Sequence, residues 1–197
     1  MRVVLIPAAG ASSRMRGGDK LLEDVDGAPC LRVLVDRAAQ VCERVCVTLP
    51  APDHPRAAAL ETSRAQIVIA ANAHRGMAHS LRAGVAAIPS HASGLMILPG
   101  DMPQITAQDM RQAWEVYEAQ KPIALQCSTE DGALGHPIIF SRKLFAGFDT
   151  LSGDRGAFAL LPKPNEGLAV LQLKGNRARL DLDTPEDWAA WRASRLL

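Results

Sequence analysis

The sequence has almost no excess of charge, since its 197 residues include 22 Lys and Arg against 21 Asp and Glu. Proteins that work on duplex nucleic acid or anionic membranes usually carry a basic excess, so we expect neither partner here. Long apolar runs are also missing, and no segment approaches the ~18 apolar residues that cross a bilayer. The apolar stretch at 3–6 is too short for a signal-peptide core. These absences predict a cytoplasmic protein.

Cysteine is scarce, and the four cysteines show no spacing typical of a metal site. None of them forms a C-x-x-C pair and no histidine cluster accompanies them, which disfavours zinc binding. In a reducing compartment such residues are expected to be small buried hydrophobes rather than disulfide partners. They are Cys30, Cys42, Cys46 and Cys127.

Two common phosphate-binding motifs are missing as well. The chain has no G-x-x-x-x-G-K-[ST] segment, which disfavours a P-loop nucleotide hydrolase. It has no G-x-G-x-x-G after its first apolar run, which disfavours a nicotinamide-binding domain. A phosphate ligand would therefore need another kind of loop.

Short apolar runs alternate with amphipathic segments along the chain, of which 48% is hydrophobic and 22% charged. The runs are apolar on both faces, which is typical of parallel strands covered by helices. Thr106 with Asp109, and Thr184 before Pro185, are typical helix N-termini. We predict an α/β fold with a mostly parallel, doubly wound sheet flanked by helices on both faces. The predicted strands are 3–6, 45–49, 67–70, 95–98, 123–127, 137–140 and 168–173.

Residues 8–20 form a loop rich in small side chains that directly follows the first predicted strand. Ligands bind at the carboxyl ends of strands in a parallel sheet, and small residues let backbone N–H groups approach an anion. Arg14, Arg16 and Lys20 add three positive charges against one acid, Asp19. The loop is therefore predicted to bind phosphates, and the alternative is a solvated basic loop.

Asp101 follows the fourth predicted strand, in the segment Leu98-Pro99-Gly100-Asp101-Met102-Pro103. A carboxylate at this sheet edge is suited to Mg²⁺, which takes one or two carboxylates together with phosphate oxygens and water. The alternative is an Asp that caps a turn. The nearby phosphate loop favours the metal site.

These motifs resemble the nucleotidyltransferase family that makes the dinucleotide forms of the molybdenum cofactor. The chain is most similar to the molybdenum cofactor cytidylyltransferases of that family. The matching segments follow one another in the family's order along nearly the whole chain. They are Ala8-Ala9-Gly10 with Ser12, Arg14 and Met15, then 20–22, 76–84, 100–103, 135–137, 153–156 and 181–187.

The resemblance implies a Rossmann-like nucleotidyltransferase fold with a phosphorylated pterin as acceptor. The chain has no internal repeat or linker, which predicts a single domain, 1–197. Nucleotide binding is expected in 1–127, and the less regular pattern of 128–180 predicts the acceptor pocket there. The acceptor's terminal phosphate would attack the α-phosphorus of CTP and release pyrophosphate, and a molybdoenzyme maturation chaperone is a further expected partner. The implied nucleotide-binding residues are Ala8, Ala9, Gly10, Ser12, Arg14, Lys20, Ser80 and Gly100. The implied catalytic residues are Arg14, Lys20 and Asp101, with Mg²⁺ on Asp101.

For three further residues the sequence allows two interpretations each. His136, between Gly135 and Pro137, is predicted either to touch the acceptor or to be structural. Asp154 either caps a following helix or meets the acceptor. Asp183 either completes the metal site or belongs to a surface turn before Thr184.

Three other functions stay open. A guanylyltransferase of the same cofactor is disfavoured because that family typically has two glycines where Ala9-Gly10 stands. The cytidylyltransferase of isoprenoid precursor synthesis shares the Pro-Ala-Ala-Gly start, but typically differs at Lys20-Leu21 and Asp101-Met102-Pro103. A non-catalytic nucleotide or cofactor carrier is disfavoured because Arg14, Lys20 and Asp101 occur together. We therefore expect CTP to be preferred.

Overall fold

The computed structural model describes residues 1–195, and its centre is a seven-stranded sheet in the order β5-β4-β1-β6-β8-β7-β9. Neighbouring strands run parallel except β8, which is antiparallel to both β6 and β7. All seven predicted strands are confirmed, and the mostly parallel sheet with them. The strands are β1 Arg2–Pro7, β2 Asp24–Val25, β3 Ala28–Pro29, β4 Arg44–Leu49, β5 Ala65–Ile69, β6 Gly94–Ile97, β7 Ala124–Ser128, β8 Leu134–Ser141 and β9 Leu168–Gln172.

Within residues 1–195, four α-helices lie between strands and a fifth follows the last strand. The two predicted N-terminal signals are confirmed. Thr106 and Thr184 each accept a hydrogen bond from the backbone three residues later, and Asp109 and Asp187 complete the two capping boxes. The second box fixes where the last helix begins, which bears on the site below. The helices are α1 Cys30–Ala38, α2 Pro55–Ala58, α3 Met77–Ala86, α4 Ala107–Gln120 and α5 Pro185–Ser194.

Helices cover both faces of the sheet, as predicted. On one face Val4 and Ile6 of β1 pack in a core shared with α1, α4 and α5. On the other face Val3 and Leu5 pack against α3 and the 3₁₀ segment Arg142–Thr150. The alternation along β1 follows from the two-residue period of a strand.

The prediction that every strand is buried on both faces is wrong for the two edge strands. Ile67 and Ile69 of β5 are 38% and 39% exposed, and Val170 of β9 is 52% exposed. The pattern of apolar residues identifies a strand, but it does not show whether that strand lies at the edge of the sheet.

Several short elements carry no signal in the sequence. The β2–β3 hairpin and the one-turn helix α2 are too short for a periodic pattern to be recognised. The connection between β7 and β8 is only 129–133, because β8 already begins at Leu134, before the predicted strand 137–140. Among the described residues there is no helix with the length and apolar character of a membrane span.

Candidate active site

The loop 8–20 leaves β1 at the edge of the sheet where β4 and β6 also end. Its first residues are fixed from beneath by β4, because the Ala8 N–H donates to the Thr48 carbonyl at 3.1 Å. The Thr48 hydroxyl lies 2.6 Å from the Ser80 hydroxyl, and both side chains are buried. Ser80 is thus placed directly behind the loop, supporting Ala8 through Thr48.

The tip of the loop is turned outward by two residues with positive φ, Ser12 at 50° and Arg16 at 51°. Between them Met15 is buried and anchors a single 3₁₀ turn. Gly10 is exposed, and no atom lies within 4 Å of the position that a Cβ would take there. The loop therefore offers open space at Gly10 while its base is fixed to the core.

Lys20 stands at the end of this loop, between two carboxylates from distant parts of the chain. Its ammonium donates to Asp101 and, at 2.6 Å, to Asp183 Oδ1. Burial by itself would lower the pKa of Lys20, but the two carboxylates outweigh it and hold that pKa above its ordinary value. The ammonium is therefore retained at neutral pH.

The other two loop cations also meet acids that precede or begin α5. Arg14 reaches Asp183 Oδ2 at 2.8 Å, and Arg16 pairs with Glu186. Both arginine side chains are largely exposed, at 67% and 64%. Exposed pairs of this kind contribute little to stability. The two guanidinium groups are therefore available to a phosphate ligand.

Asp101 has one carboxylate oxygen, Oδ1, that is buried and has no hydrogen-bond partner within residues 1–195. A buried unpaired anion is costly, so this atom is suited to a cation. Asp181 lies close to these acids, and its pKa is raised by partial burial and by the charges of Asp183 and Asp101. The structure thus brings Asp101 and Asp183 together, as the metal-site hypothesis for Asp183 requires.

Arg56 is the functional-site residue that the sequence reasoning missed. Its side chain is 2% exposed and holds the loop 8–20 through Asp19, Ser12 and two backbone carbonyls. Ser12 is consequently turned inward, towards Arg56 and Asp19. No local pattern distinguishes Arg56 from the other arginines, because its role depends on the sheet bringing residues 8–19 and 56 together.

His136 lies in β8, which passes close to the chain at Ala178. Its N–H donates to the Ala178 carbonyl at 2.7 Å. A Cβ at Gly135 would lie 1.9 Å from that carbonyl oxygen, so only glycine fits at this position. The His136 ring packs edge-to-face on Phe158 with centroids 4.7 Å apart, and its Nδ1 is buried without a hydrogen-bond partner in the described chain.

Burial lowers the pKa of His136 to about 4, although the charge of Asp101 opposes this shift. The unfolded chain therefore takes up a proton near pH 6.5, well before the folded protein does. We expect the free energy of unfolding to fall between pH 6.5 and about 4, by up to about 3 kcal/mol. His136→Asn should flatten this segment of the profile, measured by urea unfolding at several pH values. If the free energy of unfolding of His136→Asn falls with pH as steeply as that of the unmutated protein, the histidine is solvated rather than buried.

Asp154 lies in an exposed turn and does not cap the following element. The 3₁₀ turn Ala157–Leu160 has Gly156 as its N-cap, with no side-chain capping bond. The capping interpretation of Asp154 is therefore wrong. The turn lies directly against the residues before α3, since a Cβ at Gly76 would lie 2.4 Å from Gly153 backbone atoms. The Ala78 N–H also donates to the Gly153 carbonyl at 3.0 Å.

The four cysteines are free thiols, and three of them, Cys30, Cys46 and Cys127, are buried as predicted. The prediction is wrong for Cys42, which is only half-buried. Burial raises the pKa of Cys30 and of Cys42 to about 12. Such thiols are protonated at neutral pH and unsuited to nucleophilic chemistry.

Two solved structures have a fold similar to that of this chain. The crystal structure of Rv0371c from Mycobacterium tuberculosis H37Rv has a TM-score of 0.80 and 27% identity, with 96% of each chain covered. The same protein complexed with manganese has a TM-score of 0.78 and 26% identity, with 98% of each chain covered. These likenesses match the fold predicted from the sequence.

A match to one curated protein covers only a part of it. The bifunctional protein GlmU of Gluconacetobacter diazotrophicus is 36% identical over 109 residues, which are 55% of this chain. The match spans 23% of the length of that protein, so the similarity is limited to one part of it. The family described as the MobA-like NTP transferase domain matches residues 4–167, which include the phosphate loop, Asp101 and His136. The chain is therefore a member of the MobA-like NTP transferase family of nucleotidyltransferases.

Proposed function

We propose that the protein transfers CMP from CTP to the terminal phosphate of the molybdenum-pterin cofactor and releases pyrophosphate. The observation that supports it best is the cluster of Lys20, Asp101 and Asp183 at the open end of the Ala8–Gly10 loop. A triphosphate needs cations and a metal at one place, and this cluster joins both kinds of group.

Mg²⁺ is the metal that we propose, held by Asp101 and Asp183. The unpaired Oδ1 of Asp101 fits a hard cation, since oxygen ligands suit Mg²⁺. Two carboxylates leave coordination positions for phosphate oxygens and water, the usual arrangement for this ion. The manganese complex of Rv0371c supports a divalent metal in a similar protein. When bound, the metal would neutralise negative charge on the phosphates.

The side chains of this protein would then act by positioning and by charge. Backbone N–H groups around Gly10 would face the phosphates, and Arg14 and Lys20 would stabilise the leaving pyrophosphate. No covalent nucleophile is required, because phosphoryl-type transfer depends mainly on alignment and electrostatic stabilisation. Lys20 would have to exchange its bonds to Asp101 and Asp183 for bonds to phosphate.

We place the acceptor between the nucleotide half and the 128–180 half. Phe158 and Met77 are large apolar side chains, 46% and 53% exposed, and Phe158 packs on His136. Met77 begins α3, which is hydrogen-bonded to the Gly153 turn. Exposed apolar and aromatic surface beside a polar site is suited to a planar ring system such as a pterin.

The test is pyrophosphate release with CTP, GTP or ATP at equal concentration, Mg²⁺ and the molybdenum-pterin acceptor. We expect CTP to be preferred, because the Ala9 methyl, 7% exposed at the loop base, favours the smaller pyrimidine. Ala9→Gly should relax this preference without inverting it, because a methyl group discriminates by only about 1–3 kcal/mol.

The outcomes of this test separate the candidate functions. A GTP preference of the unmutated protein would place it with the guanylyltransferases. Activity with CTP and only a different phosphorylated acceptor would contradict the pterin assignment and keep cytidylyl transfer. Binding of nucleotide without turnover for any acceptor would favour the carrier.

A further inference from the structure

Arg56 makes an unusually complete set of contacts for a buried arginine. Its Nε and Nη2 donate to the two oxygens of Asp19, at 2.7 and 2.8 Å. Its Nη1 donates to the carbonyls of Ala8 and Gly10, at 2.6 and 2.8 Å. Its Nη2 also donates to the Ser12 hydroxyl at 2.9 Å. One guanidinium thus holds the start, the tip and the end of the phosphate loop.

The two carbonyl contacts determine which way the loop backbone faces. Because the carbonyls of Ala8 and Gly10 point inward to Arg56, the loop peptides cannot rotate without breaking a charge-assisted hydrogen bond. Backbone N–H groups bind an anion well only when they are oriented in advance. Arg56 supplies this preorganisation at the residues that face the nucleotide.

Asp19 links Arg56 to the orientation of Lys20. Its carboxylate is held by Arg56 and also accepts the Leu21 N–H at 3.0 Å. Burial alone would raise the pKa of Asp19, but the bonds from Arg56 outweigh it and lower that pKa. Asp19 is therefore an anion fixed towards the interior, and the neighbouring Lys20 projects the other way, to Asp101.

We infer that Arg56 is a positioning residue for nucleotidyl transfer, which sets the loop for the triphosphate through Ala8, Gly10 and the Asp19 carboxylate. This inference rests on the proposed function only in taking the triphosphate as the ligand of the loop. Arg56 itself is 1% exposed and lies behind the loop, so it would act through the loop rather than by contact with a bound nucleotide.

The first experiment compares Arg56→Met with the unmutated protein. We expect kcat/KM for CTP to fall about 100-fold, since misplacing a reacting group by about 1 Å costs that much. The KM for the acceptor should not change, because the Arg56 side chain hydrogen-bonds, within residues 1–195, only to the loop 8–20. Free guanidinium ion should restore part of the CTP affinity to Arg56→Met, and Arg56→Lys should be intermediate.

Arg2→Met is the matched control. Arg2 lies at the opposite end of β1, donates to both oxygens of Glu118 and reaches the Val41 carbonyl. Its removal deletes a similar set of bonds away from the loop. We expect Arg2→Met to leave both KM values unchanged, even where it lowers the melting temperature.

The double variant Asp19→Asn with Arg56→Met separates positioning from folding. Removing both partners leaves no uncompensated buried charge, so the melting temperature should recover relative to Arg56→Met alone. The KM for CTP should stay raised, because the carbonyls of Ala8 and Gly10 still lack their donor. A KM that recovers together with the melting temperature would show a purely structural role and overturn the inference.

Direct titration with CTP, GTP and ATP in the presence of Mg²⁺ distinguishes failure of this inference from failure of the proposed function. If the unmutated protein binds a nucleotide but transfers it to no acceptor, only the proposed function fails, and Arg56→Met must still weaken binding about tenfold or more. If Arg56→Met binds the nucleotide as tightly as the unmutated protein, the inference is wrong. It is equally wrong if the unmutated protein binds none of the three.

Discussion

Asp101→Asn is expected to reduce turnover by roughly 1,000-fold or more while leaving the fold intact. Asparagine has nearly the same size, so the turn after β6 can be kept, but the charge that would hold Mg²⁺ is lost. The loss should appear in kcat as well as in KM, because charge on the leaving pyrophosphate grows in the transition state.

The measurement is pyrophosphate release in saturating CTP and Mg²⁺, with the melting temperature as a check on folding. Asp149→Asn is the matched control, because Asp149 is an exposed acid in the 3₁₀ segment Arg142–Thr150, outside the Lys20, Asp101 and Asp183 cluster. Near-normal rates for Asp101→Asn in saturating Mg²⁺ would remove Asp101 from the metal site.

The sequence predicts the sheet well because strands and helices have local causes. The run at β1 and the Thr106 and Thr184 caps depend on residues within a few positions of each other, so periodicity and capping rules identify them. The edge positions of β5 and β9 depend on which strand pairs with which. Local patterns do not contain that information.

The candidate site divides in the same way. The loop 8–20 and Asp101 can be found because each directly follows a strand that ends at the ligand-binding edge of the sheet. Asp183 is ambiguous in the sequence, since it also precedes a capped helix. Its contact with Lys20, a residue 163 positions earlier, needs the folded chain.

Arg56 shows the limit of motif reasoning most clearly. It follows Pro55 in a helix of one turn, in a segment with no nucleotide-binding pattern. An arginine with that sequence context is expected at the surface, since charged residues are almost never fully buried unless paired. Its partners Asp19, Ser12 and the loop carbonyls become visible only when β1 and β4 are neighbours.

Lys20→Ala is the second large effect that we expect. The variant loses a positive charge at the phosphates, so kcat/KM for CTP should fall on the order of 100-fold or more. Arg14→Ala should lose less, because the Arg14 side chain is 67% exposed and therefore more strongly screened by water. Lys143→Ala serves as the control, since Lys143 is exposed and far along the chain from the loop.

Lys20→Ala should also change how the protein responds to Mg²⁺ in the absence of nucleotide. Without the ammonium, Asp101 and Asp183 lose the cation that they share, and Asp183 keeps only its bond to the exposed Arg14. The free variant should therefore melt at a lower temperature. An ion that binds only the folded state raises its stability with concentration. Mg²⁺ should therefore raise the melting temperature of Lys20→Ala more than that of the unmutated protein, where Lys20 competes for the same carboxylates.

A thermal-shift titration with Mg²⁺, repeated with Ca²⁺ and with added NaCl, measures this difference without any assay of transfer. Equal shifts for Lys20→Ala and the unmutated protein would mean that Lys20 and the metal do not share the Asp101–Asp183 site. A shift that NaCl reproduces at equal ionic strength would indicate screening of the two carboxylates rather than metal binding. A larger shift for Lys20→Ala with Mg²⁺ or Ca²⁺, but not with NaCl, would show that Lys20 competes with the metal for Asp101 and Asp183. A metal that enters with the nucleotide would then displace the Lys20 ammonium, which would be free to bind the phosphates.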